Sequence, residues 1–206
     1  MTHYFDERPE VASDVTVVDV ALPDVAFTMT TDRGVFSHGH LDTGTSLLLR
    51  EAPAPAGTGD LLDLGSGSGA MALTMALRSP AARVWAVDVN ARALELTAAN
   101  AARNAVTLHA VLPDDVPEDV RFSTIWSNPP IRIGKPQLQE LLLRWLSRLT
   151  PDGTAVLVVQ KHLGADSLQR WLDQQGYSVE RIASRAGYRL LQVEAPDRCL
   201  APRSGA

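Results

Sequence analysis

The stretch Asp60-Leu-Leu-Asp-Leu-Gly-Ser-Gly-Ser-Gly69 constrains the fold of this 206-residue chain more than any other. Leu61, Leu62 and Leu64 make a short apolar run that reads as a buried strand. It stops in a loop with glycine at every second position, and a helix-forming run, Ala70 to Arg78, follows at once. Strand, glycine loop and helix in that order are how an open parallel sheet builds a nucleotide site. Glycine allows the sharp turn and lets a ligand approach where a Cβ would stand. Gly65-x-Gly67-x-x-Ala70 also fits the loose dinucleotide fingerprint, so the loop leaves its ligand open between several nucleotide-like groups.

Downstream of the loop, strand and helix patterns alternate, the mark of parallel βαβ units. Arg83 to Val89 reads as a second strand, with Asn90 capping an alanine-rich helix to about Arg103; Val106–Val111 and Phe122–Ser127 read as the third and fourth strands. Leu138, Leu141, Leu142, Trp145, Leu146 and Leu149 keep helical phase, and Pro151-Asp-Gly153 is expected to stop that helix. Thr154–Gln160 is continuously apolar and expected to be a central strand. A helix through Leu168, Trp171 and Leu172 ends at Gly176, and Tyr177–Ala183 with Tyr188–Glu194 reads as a closing hairpin turning at Gly187. The expected fold is α/β, a Rossmann-like doubly wound sheet of seven mostly parallel strands with an antiparallel C-terminal hairpin. Residues 1–50 read differently. Val15–Val20 and Val25–Thr30 suggest a hairpin with Phe27 and Met29 on one face, then a loop from His38 to Ser46 and a helical run from Leu47. We expect a small β cap over 1–50 and the main domain over 51–206, in one unit, with a frayed tail from Pro196.

Bulk properties exclude several classes. No apolar run approaches a membrane span, and the N-terminus lacks a basic-then-apolar leader. Cys199 is the lone cysteine, so no internal disulfide or thiolate cluster forms, and a reducing cytoplasm is expected. His38 and His40 are the only closely spaced histidines and lack nearby partners, so no metal is expected. The net charge of −5 hides an asymmetry: residues 1–120 carry 7 Lys and Arg against 17 acids, and residues 121–206 carry 12 against 7. A mildly basic second half could orient the molecule on a polyanion; solvated helix faces would give the same count.

The chemistry is concentrated at two strand ends. Asp63 stands two residues before the glycine loop, and Asp88 ends the second strand, where both carboxylate oxygens could accept from ribose hydroxyls. Ser127-Asn128-Pro129-Pro130-Ile131 follows the fourth strand, across the switch point of a doubly wound sheet. The Asn128 side-chain oxygen and the Pro129 carbonyl could both accept from one planar –NH2 group, and the prolines fix the carbonyl's direction. Two acceptors favour pyramidalisation of a delocalised amine as it attacks an electrophilic carbon, with no strong base needed. A dinucleotide oxidoreductase would leave Asn-Pro-Pro-Ile without a role.

Asp63–Gly69, Asp88 and Asn128–Ile131 resemble the cofactor and catalytic motifs of class I S-adenosylmethionine-dependent methyltransferases acting on amino nitrogens. With Gly34–Ser37, Asp42–Thr45, Asn128–Lys135, Val159–Lys161 and Gly187–Arg189, the chain is similar to the methyltransferase small domain group. That group includes enzymes methylating guanine N2 of 16S ribosomal RNA (the ribosomal small-subunit methyltransferase C type), and the resemblance runs from about Tyr4 to Glu194. It implies S-adenosylmethionine as cofactor, held by Asp63, Gly65, Ser66, Gly67, Gly69, Asp88, Val89 and Asn128. Asp42, Thr43, Gly44 and Thr45 would line the same pocket, and Asn128, Pro129, Pro130 and Ile131 would grip the amine. It implies ribosomal RNA or the small subunit as partner, contacted through Phe36 or Tyr4 and through Arg132, Lys135, Lys161 and His162. Adenine N6 or a protein glutamine amide would suit the same motif, and a non-catalytic assembly factor could keep the fold. Where the family commonly places an acid after the third strand, this chain has His109-Ala-Val-Leu-Pro; where the fourth strand usually opens Phe-Asp, it has Phe122-Ser123.

Overall fold

The computed structural model describes residues 12–196. Tyr4, Cys199 and the tail expected to fray lie outside them. The elements run β1 (Thr16–Ala21), β2 (Ala26–Thr31), α1 (Thr43–Glu51), β3 (Asp60–Leu64), α2 (Ala70–Arg78), β4 (Arg83–Val87), α3 (Ala91–Arg103), β5 (His109–Val111), β6 (Phe122–Ser127), α4 (Lys135–Leu146), β7 (Leu149–Gln160), α5 (Ala165–Gln174), β8 (Ser178–Arg185) and β9 (Tyr188–Glu194). The main sheet has seven strands in the order β5-β4-β3-β6-β7-β9-β8. β5 through β7 are parallel, and β9 and β8 are antiparallel. The chain reverses direction across the sheet between β3 and β6, which places the topological switch point at their C-terminal ends.

Period-2 alternation assigns each strand residue to a face. Leu62 and Leu64 of β3, and Ala155, Leu157 and Val159 of β7, pack against α4 and α5. Leu61, Val156 and Val158 face α1, α2 and the β1–β2 hairpin. Strands buried on both faces must be apolar at every position, which explains the unbroken run in β7. Each fully buried leucine contributes about 1.5–3 kcal/mol relative to an exposed one, so the strand ends that carry the loops stand on the best-packed part of the molecule.

The hairpin puts Phe27 and Met29 into the core shared with α1 and α2. The polar edge of β2 is paired by side chains. Asn100 of α3 accepts from the Thr30 N–H (2.7 Å) and hydroxyl (2.9 Å), and donates to the Thr30 carbonyl (2.8 Å) and the Ser68 carbonyl (2.9 Å). Asn104 accepts from the Thr28 N–H at 3.2 Å and donates to the Thr28 carbonyl at 2.8 Å.

Several boundaries differ from expectation, three of them most. Helix α1 starts at Thr43, four residues before Leu47, because the Asp42 carboxylate caps it through the Thr45 N–H. Helix α4 ends at Leu146 and Leu149 opens β7, so Pro151-Asp-Gly153 lies inside that strand's span, where its pairing with β6 shifts register. β5 keeps only three residues of the expected six.

Candidate active site

A cavity of about 510 Å³ opens at the C-terminal ends of the strands. Gly65 and Gly67 follow β3, Asp88, Val89 and Asn90 follow β4, Pro113 follows β5, and Asn128 to Arg132 follow β6; each lines the cavity. Gln160 ends β7 and Tyr188 begins β9 on the same wall, and the Val35–Ser37 segment closes the near side. A smaller adjoining pocket is lined by Ser66, Ser68 and Thr45, and shares Asp42, Gly65, Gly67 and Asn128 with the first.

The glycine loop is held from behind. Gly65 and Ser66 donate to the Val87 carbonyl (2.8 and 3.1 Å), and Gly67 donates to Asp88 Oδ2 (2.9 Å). Gly65 has φ of +77° and open space where a Cβ would stand, as a cradle for a ligand requires. The Ser66 and Ser68 hydroxyls are buried without a protein partner, so this pocket presents polar groups that a ligand could satisfy.

Asp88 keeps both oxygens engaged with backbone, Oδ1 accepting from Asn90 N–H at 2.9 Å. Burial raises its pKa, against the bonds from Asn90, Gly67 and Val89. Each oxygen retains a second lone pair for a ligand hydroxyl.

Asn128 is anchored by its nitrogen. Nδ2 donates to Asp42 Oδ2 at 2.8 Å and to Thr45 Oγ1 at 3.2 Å. Its oxygen is the part of the amide left to meet a ligand. The Pro129 carbonyl accepts from Ile131 N–H at 2.8 Å around Pro130 (φ −75°, ψ 76°), an inverse γ-turn. That bond uses one lone pair and leaves the other. Ser127 Oγ donates to the Leu64 carbonyl at 2.8 Å and ties the end of β6 to the end of β3.

Several expected site residues fall elsewhere. Asp63 is wholly buried beneath the loop and lines neither pocket; its Oδ2 accepts from Ala72 N–H at 2.9 Å. Gly69 also lines neither. A Cβ there would stand 2.8 Å from Thr97 Cγ2, so this glycine is required where the loop packs on α3. Thr43 and Gly44 sit in the first turn of α1, with the Tyr188 ring over Gly44 at a distance a Cβ would occupy. Phe36 and Arg132 line the cavity, whereas Lys135 and Lys161 are exposed without lining it.

Gln160 and Tyr188 join the wall without having been singled out as site residues. Gln160 Nε2 donates to the Tyr188 hydroxyl at 2.8 Å. Their signal was membership of the matching segments Val159–Lys161 and Gly187–Arg189, at the C-terminal end of β7 and the start of the antiparallel strand beside it. Where an acid commonly holds adenine, Pro113 lines the cavity and Asp114 pairs outward with Arg144. Among the described residues no group of three or more His, Cys, Asp or Glu could hold a metal, and no helix is long and apolar enough to cross a membrane.

A doubly wound sheet whose switch point brings a glycine loop, Asp88 and Asn128-Pro129-Pro130 to one cavity is the arrangement of a class I methyltransferase. Residues 26–192 match the model of the methyltransferase small domain, and the chain belongs to that family. It is 32% identical over 196 residues to the uncharacterised protein YbxB of Bacillus subtilis (strain 168), covering 93% of this chain and 98% of that one. It is 35% identical to ribosomal RNA small subunit methyltransferase C of Pseudomonas aeruginosa (strain UCBPP-PA14), covering 64% of this chain but only 44% of that enzyme. A similar solved structure is the T. thermophilus 16S rRNA N2 G1207 methyltransferase (RsmC) in complex with AdoMet and guanosine. It superposes with a TM-score of 0.75 at 25% identity, covering 90% of this chain and 52% of that one. The chain thus spans about half the length of these two methyltransferases and nearly all of YbxB.

Proposed function

We propose that this protein transfers a methyl group from S-adenosylmethionine to an exocyclic amino nitrogen, guanine N2 of 16S ribosomal RNA, in the cytoplasm. One observation carries the reading: Asn128-Pro129-Pro130 and the glycine loop line a single cavity from adjacent strand ends. The relatives that act on small-subunit ribosomal RNA, and the solved RsmC with AdoMet and guanosine, support both the cofactor and the base.

The residues present suit the cofactor. Ser66 and Ser68 would meet its amino-acid end beside the N-terminus of α2, where backbone N–H groups favour a carboxylate. Asp88 would take the ribose hydroxyls, and Val89, Ala93 and Pro113 offer apolar contact for the adenine. When bound, S-adenosylmethionine would supply an electrophilic methyl on a sulfonium: the carbon–sulfur bond breaks as the carbon–nitrogen bond forms, the sulfur leaves as a neutral thioether, and the proton lost by the nitrogen passes to solvent. Asn128 Oδ1 and the Pro129 carbonyl would hold the two amine hydrogens and draw the nitrogen lone pair out of conjugation. Phe36 and Arg132 on the cavity wall, and Lys135 and Lys161 outside it, would meet the RNA. The hairpin and α1, within residues 1–50, would form its substrate-side cap.

Asn128→Ala tests the reading. Labelled methyl transfer to small subunits lacking the modification should fall on the order of 10²–10³-fold, the loss typical of removing one preorganised polar group. The Kd for S-adenosylmethionine should stay within about threefold by calorimetry. Undiminished turnover in the variant, or wild-type label mapping to another base, would overturn it.

A further inference from the structure

The Asp42-Thr-Gly-Thr45 segment lies 86 residues before Asn128 in the chain and touches it directly. Asp42 Oδ2 receives two donors, Thr45 N–H at 2.9 Å and Asn128 Nδ2 at 2.8 Å, and Thr45 Oγ1 takes Nδ2 as well at 3.2 Å. The cap of α1 and the orientation of the Asn128 amide therefore share one oxygen. We propose that Asp42 is a positioning residue for the methyl-transfer reaction: it fixes the Asn128 amide so that Oδ1, rather than Nδ2, faces the acceptor amine. This rests on the proposed function for its chemistry and on the geometry alone for the contact.

An asparagine amide has two orientations of nearly equal shape and opposite chemistry. With Nδ2 toward the cavity it would present hydrogens to the hydrogens of the acceptor amine and hold nothing. With Oδ1 toward Asp42, two acceptors would stand 2.8 Å apart, where the structure has a hydrogen bond. The carboxylate makes one orientation repulsive and the other bonded. Because Oδ2 is also the α1 cap, the side chain that chooses the amide orientation is itself held by the helix. Gly44 is needed in the same first turn for a separate reason, since the Tyr188 ring occupies the space of a Cβ. The motif is thus a helix start built to present one oxygen, and its part in the reaction runs through Asn128.

Two substitutions separate positioning from capping and from charge. Asp42→Ser keeps a good helix cap but is too short to reach Asn128, so the fold should hold while the amide is released. Its kcat should fall about 10- to 100-fold, the scale of a misplaced reactive group, with KM for S-adenosylmethionine and RNA within about twofold. Asp42→Asn should recover most of the loss, to within about fivefold of wild type, because the two converging donors select its oxygen for the same place.

A spectroscopic arm stands apart from activity. With selective ¹⁵N-asparagine labelling and Asn128→Ala to assign the signal, the Asn128 side-chain amide in the cofactor-free wild type should exchange slowly with solvent. In Asp42→Ser it should exchange fast, and in Asp42→Asn slowly again. Full activity in Asp42→Ser overturns the proposal. So does a lost affinity for S-adenosylmethionine, which would make Asp42 a cofactor ligand. Equal inactivity of Asp42→Asn and Asp42→Ser also overturns it, since the negative charge itself would then be what matters. If the wild type methylates no RNA, the proposed function fails, while the amide exchange still reports on the contact.

Discussion

Asp63 shows how the same residue reads differently as a letter and as an atom. In the sequence it heads the glycine loop and invites a ligand-binding role. In the structure it is sealed under that loop with one oxygen on Ala72 N–H and the other, Oδ1, without a partner. Burial pushes its pKa up to about 7, the Ala72 bond opposes the shift, and the charge of Asp88 adds to it. The sign follows from linkage: the native state holds the proton more tightly than the unfolded chain, whose value is 3.8. The stabilisation is complete below about pH 4 and is lost as pH rises through about 7. Asp63→Asn keeps an acceptor for Ala72 and removes the titration. Urea denaturation should find the variant and wild type similar near pH 4. By pH 8 the variant should be the more stable, by at most on the order of 4 kcal/mol for three pKa units. Parallel stability profiles across that range would show that Asp63 does not titrate there.

The glycine loop and helix α3 approach closely because Gly69 stands against Thr97. Gly69→Ala forces a Cβ to within 2.8 Å of Thr97 Cγ2 at a φ of +86°, and should destabilise by about 2–4 kcal/mol in urea. Gly65→Ala meets open space, so only the left-handed backbone resists it, at about 1–2 kcal/mol, and its larger effect should be on cofactor affinity. Equal losses from the two would mean that packing does not distinguish these glycines. The spacing of glycines gave no warning of this division, since a turn, a cradle and a packing contact all ask for the same residue. Most elements were legible from periodicity: α2 and β6 match to the residue, and Asn90 caps α3 as its type suggested. The failures share a cause in tertiary contact. Thr43-Gly-Thr45 has weak helix propensity, and α1 begins there because of Asp42. Leu149 kept helical phase by coincidence, and only its pairing with Phe122 assigns it to β7. The cavity's glycine loop, Asp88 and Asn128 were readable as motifs; Gln160 and Tyr188 needed the sheet order to bring them there.

On the scale of the whole molecule, several basic groups of the second half stand on the segments that leave the strand ends carrying the cavity. Arg132 lines it, and Lys135, Lys161 and His162 are exposed on the segments that follow β6 and β7. If these groups meet RNA, Arg132→Ala should weaken RNA binding and lower the slope of log affinity against log salt by about one, leaving the S-adenosylmethionine Kd unchanged. A salt slope identical to wild type would place the phosphate contacts elsewhere. The same overall view gives the Asn100 contact a meaning in time. The hairpin is made first, but a two-stranded ribbon is marginal by itself, and the groups that complete the edge of β2 lie some 70 residues further along. While the chain is being synthesised, β2 must wait with an open edge until Asn100 and Asn104 have left the ribosome's exit tunnel. The same amide then also fastens the Ser68 carbonyl, so the hairpin is completed and the glycine loop secured in one late event.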